Sequence, residues 1–468
     1  MKDPNANADF RFRAQLYLDD PGQSFSMPCE IILPQKIGDR PQIYFFPEES
    51  ISTFYTPFLL KLRGQLGEGI GSTKIQASGV GFGAASERYW GDGLNVRQIV
   101  GYAETLQITR EIPSDESFVR AAFYITDSLL LAPFDLITQS YDGTVTNHRG
   151  QSTQVNLEDT KFIFENEYKY RKIGNETISW RTLVARANVN FESFDKDKLL
   201  SALDDFLLLV SFAERRRSSC LEIVWQTATD LIHEYRLNRV VPPQKENHCH
   251  NECLLYDQKQ IEQYFSSAFK NLREHPQSKL IHGAVAAATL FDEGTIGTKF
   301  IRMFSALESL VLAYRRTQNL EFSVGNSEDR KNLEKSIKKA IKDNPILQND
   351  PVRQKFLYDN IPGLFRISLR QAAERFFESR GIYTKDIWPV FDSETGIPLV
   401  QIRNKIAHGE SFSREEWWHI SKAEESLRLL VSRCLFSVLG TPYSNTRVHP
   451  IFEDEPIWKD ARQLLSKN

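Results

Sequence analysis

The sequence predicts an α+β chain of several domains, β-rich on its N-terminal side and all-α on its C-terminal side. Three observations carry this expectation. At 468 residues the chain is long for one hydrophobic core, so two or three domains are expected. Hydrophobic residues make up 41 % and charged residues 25 %, with 31 Phe and 16 Tyr, a composition of packed cores rather than disorder. The apolar period changes from two to the helical value near Phe194.

Taken in order, residues 1–194 are expected as a β-rich domain, a sandwich or curled sheet. From about 28 to 192 short alternating runs such as CEIIL, QIYFF, KFIFENEYKY and ISWRTLVARANVNF are separated by Gly, Pro, Asn and Asp clusters. The last two runs flank KIGNET, where Gly174 and Asn175 suit a hairpin turn. Two glycine clusters, GEGIGS at 67–72 and GVGFGA at 79–84, lack both the Gly-Lys-Ser/Thr continuation and full GxGxxG spacing, so they read as turns rather than phosphate loops.

Residues 195–290 are expected as a helical connector and linker. DKDKLLSALDDFLLLVSFAERRR and SSCLEIVWQTATDLIHEYRL both read as helical, and the stretch from Gln244 to Gly283 is polar. Residues 291–440 are expected as a helical bundle, with periodic runs at 298–316, 329–343, 351–360, 368–380, 397–408 and 413–439. The charged stretch from Glu321 to Asp350 suits a solvated surface helix. The last run opens with a capping box, Ser413 with Glu416, and places Ile420, Ala423, Leu427, Leu430, Val431 and Cys434 at helical spacing. Residues 441–468 read as a tail of loop or short strand.

Composition narrows the function classes. A formal net charge of −3 gives no global attraction to polyanions, so any such contact needs a local basic patch. Five scattered cysteines suit a reducing compartment, the N-terminal residues lack the pattern of a secretory signal, and no apolar stretch reaches the ~20 residues of a membrane span. A cytoplasmic protein with no membrane partner is the expectation. HCHNEC packs His248, Cys249, His250 and Cys253 together, but tetrahedral zinc normally draws on two separated ligand pairs and no second pair is nearby; a polar linker is the preferred reading. HExxH, Gly-x-Ser-x-Gly and paired Asp-rich motifs are missing from the sequence, and neither a metal nor a cofactor is expected. Arg215, Arg216 and Arg217 close an apolar helix, where cations offset the negative end of the dipole; a polyanion contact is the other reading of the triplet.

The stretch LVQIRNKIAHGESF at 399–412 behaves differently. Pro398 can start a helix there and Gly409 can end it. With Leu399 at 0°, Val400, Ile402, Ile406 and Ala407 fall at about 100°, 300°, 340° and 80°, and Arg403 at about 40°, inside the apolar arc. Asn404 and His408 fall near 140° and 180°, on the polar side. A buried arginine requires a carboxylate partner. The same geometry on KFIRMFSALESLVLAY surrounds Glu308 with Phe304, Val311, Ile301 and Leu312, which predicts an Arg403 to Glu308 ion pair.

Two readings of these residues stand side by side. In one, the pair fixes the packing of two helices and His408 favours a helix C-terminus. In the other, His408 exchanges a proton near neutral pH while Arg403 holds a phosphate and offsets developing charge, which suffices for RNA cleavage without metal. The ribose 2′-hydroxyl attacks the adjacent phosphate and leaves a 2′,3′-cyclic phosphate. One helix offers one histidine, so a two-fold axis beside it would bring a second His408 and Arg403 and supply acid and base together.

At these residues the sequence resembles the HEPN superfamily, whose hallmark is an Arg, four to six residues and then a His, commonly with a polar residue after the Arg. Here these are Arg403, Asn404 and His408. More narrowly, ALESL at 306–310 and RNKIAHGE at 403–410, with a β-rich N-terminal region, look like the ApeA-like HEPN proteins of bacterial anti-phage defence. The resemblance covers about 295–440, and the N-terminal region by architecture only. It implies a helical HEPN bundle that forms a homodimer and acts as a metal-independent endoribonuclease, with Arg403 and His408 catalytic, Asn404 supporting them and Glu308 orienting Arg403. RNA, tRNA included, would be the substrate, and the N-terminal domain would sense a phage-derived activator. The alternative it leaves open is a catalytically inactive HEPN module for nucleotide binding, dimerisation or adaptor duty.

Overall fold

The computed structural model describes residues 9–17, 24–33, 41–47, 60–66, 72–89, 95–112, 118–132, 136–139, 145–148, 150, 152–173, 176–190, 194–236, 253–255, 258–290, 294–323, 325–347, 350–391, 397–410 and 412–448. The chain divides into two compact units, one of residues 1–210 and 217–251 and one of residues 211–216 and 252–468.

The first unit is β-rich. Six strands, β1 (Phe10–Tyr17), β2 (Ser24–Ile32), β3 (Gln42–Phe45), β4 (Leu60–Leu66), β5 (Thr73–Tyr89) and β6 (Asn95–Tyr102), close into an antiparallel barrel in the order β5-β4-β1-β2-β3-β6, with β6 returning to β5. Alternation directs Phe12, Ala14 and Leu16 of β1 inward, where they meet Ile31, Ile43, Phe45, Leu62, Ile75 and Leu106 in one core. The sheet then continues from β5 through β7 (Thr105–Glu111) to strands outside the barrel. These are β8 (Phe118–Ile125), β11 (Thr153–Leu157), β12 (Thr160–Ile173), β13 (Glu176–Asn190), β14 (Cys220–Gln226) and β15 (Asp230–Arg236), in the order β7-β15-β14-β8-β13-β12-β11. A separate ribbon pairs β9 (Leu136–Gln139) with β10 (Val145–His148).

The expected hairpin at KIGNET is present as β12 against β13, with Phe164 opposite Ala185; its turn residues Gly174 and Asn175 lie outside the described residues. Helix α1 (Lys196–Glu214) lays Phe206 against Phe164 and is tied to β15 by the bidentate Arg236–Asp204 pair. Arg215 follows it with φ at 53°, and the Arg215 and Arg216 amides close the helix on the Phe212 and Ser211 carbonyls.

Two expectations are corrected here. SSCLEIVWQTATDLIHEYRL is not helical: it supplies β14 and β15, because Leu221, Ile223 and Trp225 alternate inward and the two strands find partners in β8 and β7. GVGFGA is not a turn but the middle of β5. There Gly79 at φ +62 and a register shift near Leu60 and Leu62 mark a bulge, and a second shift falls between Phe82 and Ala85. Glycine in a strand interior accommodates this bend at a barrel corner. GEGIGS falls on 67–72, of which 67–71 lie outside the described residues.

The second unit is helical. It contains α2 (Gln258–Glu274), α3 (Ser278–Thr289), α4 (Ile296–Thr317), α5 (Ser327–Lys342), α6 (Pro351–Leu364), α7 (Leu369–Ser379), α8 (Leu399–Ala407) and α9 (Arg414–Val438). It therefore starts earlier than the expected 291, since α2 and α3 cluster with it. Helix α4 packs on α3, α7, α8 and α9 and buries Phe300, Met303, Phe304, Leu307, Leu310 and Val311. Ile420, Ala423, Leu427, Leu430, Val431 and Cys434 of α9 are all buried, as their spacing predicts. Each fully buried Leu, Ile, Val, Phe or Met among them contributes about 1.5–3 kcal/mol. No helix among the described residues is long and apolar enough to cross a membrane.

Candidate functional site

The site is built on α8, a helix of nine residues whose ends are both determined locally. Pro398 occupies the N-cap with extended backbone, and the amides of Leu399 and Val400 donate to the carbonyls of Pro389 and Val390, at 2.9 Å each. That upstream segment is itself pinned. The Trp388 amide donates to Ser426 Oγ of α9 at 2.7 Å, and the Trp388 indole nitrogen donates to the Ile397 carbonyl at 2.8 Å. At the other end Gly409, with φ +74, donates to the Ile406 carbonyl, and the Glu410 amide donates to the Lys405 carbonyl. This double bond around a left-handed residue is the Schellman closure, and it leaves His408 as the C-cap.

Arg403 and Glu308 do meet, although 95 positions separate them: Arg403 Nη2 donates to Glu308 Oε1 at 3.3 Å. Arg403 Nη1 donates to Asn404 Oδ1 at 3.1 Å, and the guanidinium lies 5.8 Å from the centre of the Phe304 ring. The arginine is thus held on three sides by α4 and its own helix. Burial of the pair, however, is corrected. The side chains of Arg403 and Glu308 are 37 % and 34 % exposed. Only Leu399 and Ile402 of α8 are buried, while Val400 and Ile406 are half-buried and Ala407 is exposed. The core-facing arc is therefore narrower than the apolar residue types suggest, and Arg403 stands on its boundary.

Asn404 and His408 are exposed, as their place on the polar face predicts. Among the described residues no hydrogen bond engages the His408 imidazole; its backbone amide donates to the Asn404 carbonyl at 2.9 Å. The site thus presents, on one short helix, a guanidinium steadied by a carboxylate, an amide that shares it, and a solvent-facing imidazole.

The following helix braces this arrangement. Ser413 and Glu416 form the predicted capping box, with Ser413 N–H to Glu416 Oε2 at 2.7 Å and Glu416 N–H to Ser413 Oγ at 3.2 Å. Hydrogen bonds from the Ser413 backbone and side chain hold the Glu416 carboxyl below its ordinary range. Gly297 of α4 admits the Trp417 and Ile406 side chains: a Cβ there would lie 3.3 Å from Trp417 and 3.4 Å from Ile406. Further along α9, Glu424 is 8 % exposed, and burial pushes its carboxyl up despite the opposing charges of Arg428, Lys299 and Arg302.

Sequence reasoning missed Arg433. It is 0 % exposed in α9, and its guanidinium forms a bidentate pair with Asp386, Nη1 to Oδ1 at 2.7 Å and Nη2 to Oδ2 at 2.6 Å. It also donates to the carbonyls of Tyr383 and Val448, both at 2.7 Å. Asp386 begins the segment whose carbonyls receive the start of α8, so this pair helps to position the site from a distance.

The histidine and cysteine cluster lies largely outside the described residues: His248, Cys249 and His250 are not among them, and Cys253 is buried. Among the described residues no group of three or more His, Cys, Asp or Glu side chains is arranged to hold a metal ion.

Substituting Arg403 by Ala is expected to cost no more than about 1 kcal/mol of stability, since the ion pair is partly exposed and screened. A fall of the unfolding midpoint in urea by more than the equivalent of ~2 kcal/mol would show that the pair works as a buried one. No protein-family model, curated protein or solved structure matches the chain.

Proposed function

We propose that the chain is a metal-independent endoribonuclease of the HEPN type, with His408 as general acid or base, Arg403 as phosphate binder, Asn404 as positioning donor and Glu308 orienting the arginine. The observation that carries this reading is the Arg403 pair with Glu308 across two helices, which leaves Asn404 and His408 exposed on the same short helix. Asn404 accepts from Arg403 and so steadies the pair, while the solvent-facing imidazole stands beside that cation, and a phosphodiester needs both a cation and a proton carrier.

Cleavage then runs by attack of the ribose 2′-oxygen on its own 3′-phosphorus. The 2′-hydroxyl proton goes to a base, the bond from phosphorus to the 5′-oxygen of the next nucleotide breaks, and an acid protonates that leaving oxygen. The products are a 2′,3′-cyclic phosphate and a free 5′-hydroxyl. A homodimer through the helical unit would bring two His408 imidazoles to one scissile bond. The resemblance to ApeA-like proteins adds the proposal that this occurs in the cytoplasm in anti-phage defence, with the β-rich unit as sensor.

The expected result is RNA cleavage that persists in excess EDTA and leaves 2′,3′-cyclic phosphate ends, read by mass spectrometry of the products. Cleavage abolished by the chelator, or fragments ending in 3′-hydroxyls, would sink this mechanism. Stable nucleotide or partner binding without any RNA cleavage would favour the adaptor reading instead.

A further inference from the structure

Helix α5 carries a feature that its own packing does not use. It buries none of its residues, yet it holds Lys331, Lys335, Lys338, Lys339 and Lys342, all exposed. With Lys335 at 0°, these five fall at about 320°, 0°, 300°, 40° and 340°, a single stripe about 100° wide and about 16 Å long. Leu333, Ile337 and Ile341 fall on the opposite arc, at about 160°, 200° and 240°. Ile337 and Ile341 are half-buried whereas all five lysine side chains are exposed, so the stripe is the face turned away from the helix's own packing; Tyr358 of α6 reaches only the backbone there, donating to the Lys338 carbonyl at 3.5 Å.

The stripe costs the helix stability. Lysines three or four apart repel, and each such pair disfavours an isolated helix by a few tenths of a kcal/mol. Only one intrahelical ion pair among the described residues offsets this, Lys338 with Glu334 at 2.6 Å. The helix dipole accounts for Lys339 and Lys342 in the last turn but not for Lys331, Lys335 and Lys338. On a chain of net charge −3 this is a local concentration of positive charge, and such a patch attracts a polyanionic backbone whatever its base sequence.

We infer that the lysine stripe of α5 is a docking rail for the sugar-phosphate backbone of single-stranded RNA. It deepens the ribonuclease reading, on which the choice of RNA rests, by naming how the substrate is held away from His408 without regard to base sequence. A membrane surface fits less well, because a helix lying in a bilayer interface must offer a whole free apolar face, whereas of the three apolar residues opposite the lysines Leu333 alone is exposed, at 46 %, and Ile337 and Ile341 are half-buried.

The test uses the full chain with His408→Ala, so that RNA stays uncut, with and without Lys335, Lys339 and Lys342 replaced by Gln, which keeps helix propensity close to that of Lys. Binding of a fluorescent single-stranded RNA is followed by anisotropy over a salt series. The triple variant is expected to bind roughly tenfold more weakly at low salt, with the slope of log K against log salt reduced by about 2, while the triple Lys→Arg variant binds like the parent. Equal affinity and slope in the Gln variant overturn the proposal, as does a parent chain that binds no RNA at low salt. So does loss of binding to phosphatidylserine-containing vesicles with RNA binding unchanged, which would make the stripe a membrane contact. Cleavage is read separately on the chain with His408 intact: lysine-dependent binding without cleavage supports the rail and sinks the ribonuclease reading alone.

Discussion

Arg433→Ala is expected to destabilise the helical unit by about 3–5 kcal/mol, the largest stability effect of any single substitution considered. The side chain is 0 % exposed and makes four hydrogen bonds, two of them to Asp386, whose own side chain is 13 % exposed. Truncation would leave a carboxylate without its counter-charge and the Tyr383 and Val448 carbonyls without a donor, each in a place with little water to replace it. At roughly 2–4 °C per kcal/mol for a unit of this size, the thermal midpoint should fall by about 10 °C. Replacing both members by apolar residues, Arg433→Met with Asp386→Leu, should recover much of the loss, because the desolvation penalty disappears with the charges. Calorimetry of the single and double variants decides it: an Arg433→Ala midpoint within about 2 °C of the parent would mean that the pair contributes little.

His408→Ala is expected to lower the rate of RNA cleavage by about 10²–10⁴-fold, the usual range for loss of a general acid or base. Stability should stay within about 0.5 kcal/mol of the parent, since His408 caps α8 through its backbone amide while its imidazole is exposed, and exposed side chains of this kind seldom contribute more. The Gly409 backbone continues to close the helix whatever side chain stands at 408. Single-turnover cleavage and urea denaturation on the same preparations separate the two quantities. A rate equal to that of the parent would remove His408 from the chemistry, and a large loss of stability would show that the residue acts through folding.

The parts of this structure that were legible in the sequence are those set by neighbours in the chain. Ser413 with Glu416, Pro398 and Gly409 mark helix ends because capping is satisfied within a few residues, and α9 shows its apolar positions at regular spacing. The Arg403 to Glu308 pair was legible because both residues interrupt an apolar face, though the extent of burial was not: it depends on how widely α4 covers a helix of nine residues. What escaped depends on distant partners. CLEIVWQ and DLIHEYR carry enough apolar residues for a helix, and only pairing with β8 and β7 decides for strand. Arg433 sits inside the run LRLLVSRCLFSV, and nothing near it announces Asp386, 47 positions upstream. Barrel closure likewise rests on bulges in β5 that look, in one dimension, like a glycine-rich turn.

The length of β5 has a mechanical consequence. Its first half pairs with β4 and β7 and its second half with β6, so one uninterrupted strand is wall to the barrel and border to the open sheet. No loop lies between the two, only the bulges at Gly79 and between Phe82 and Ala85. A ligand that altered the barrel wall would have to shift the ladder between β5 and β7 as well, which makes the barrel less a bead on a string than the stiff end of a lever.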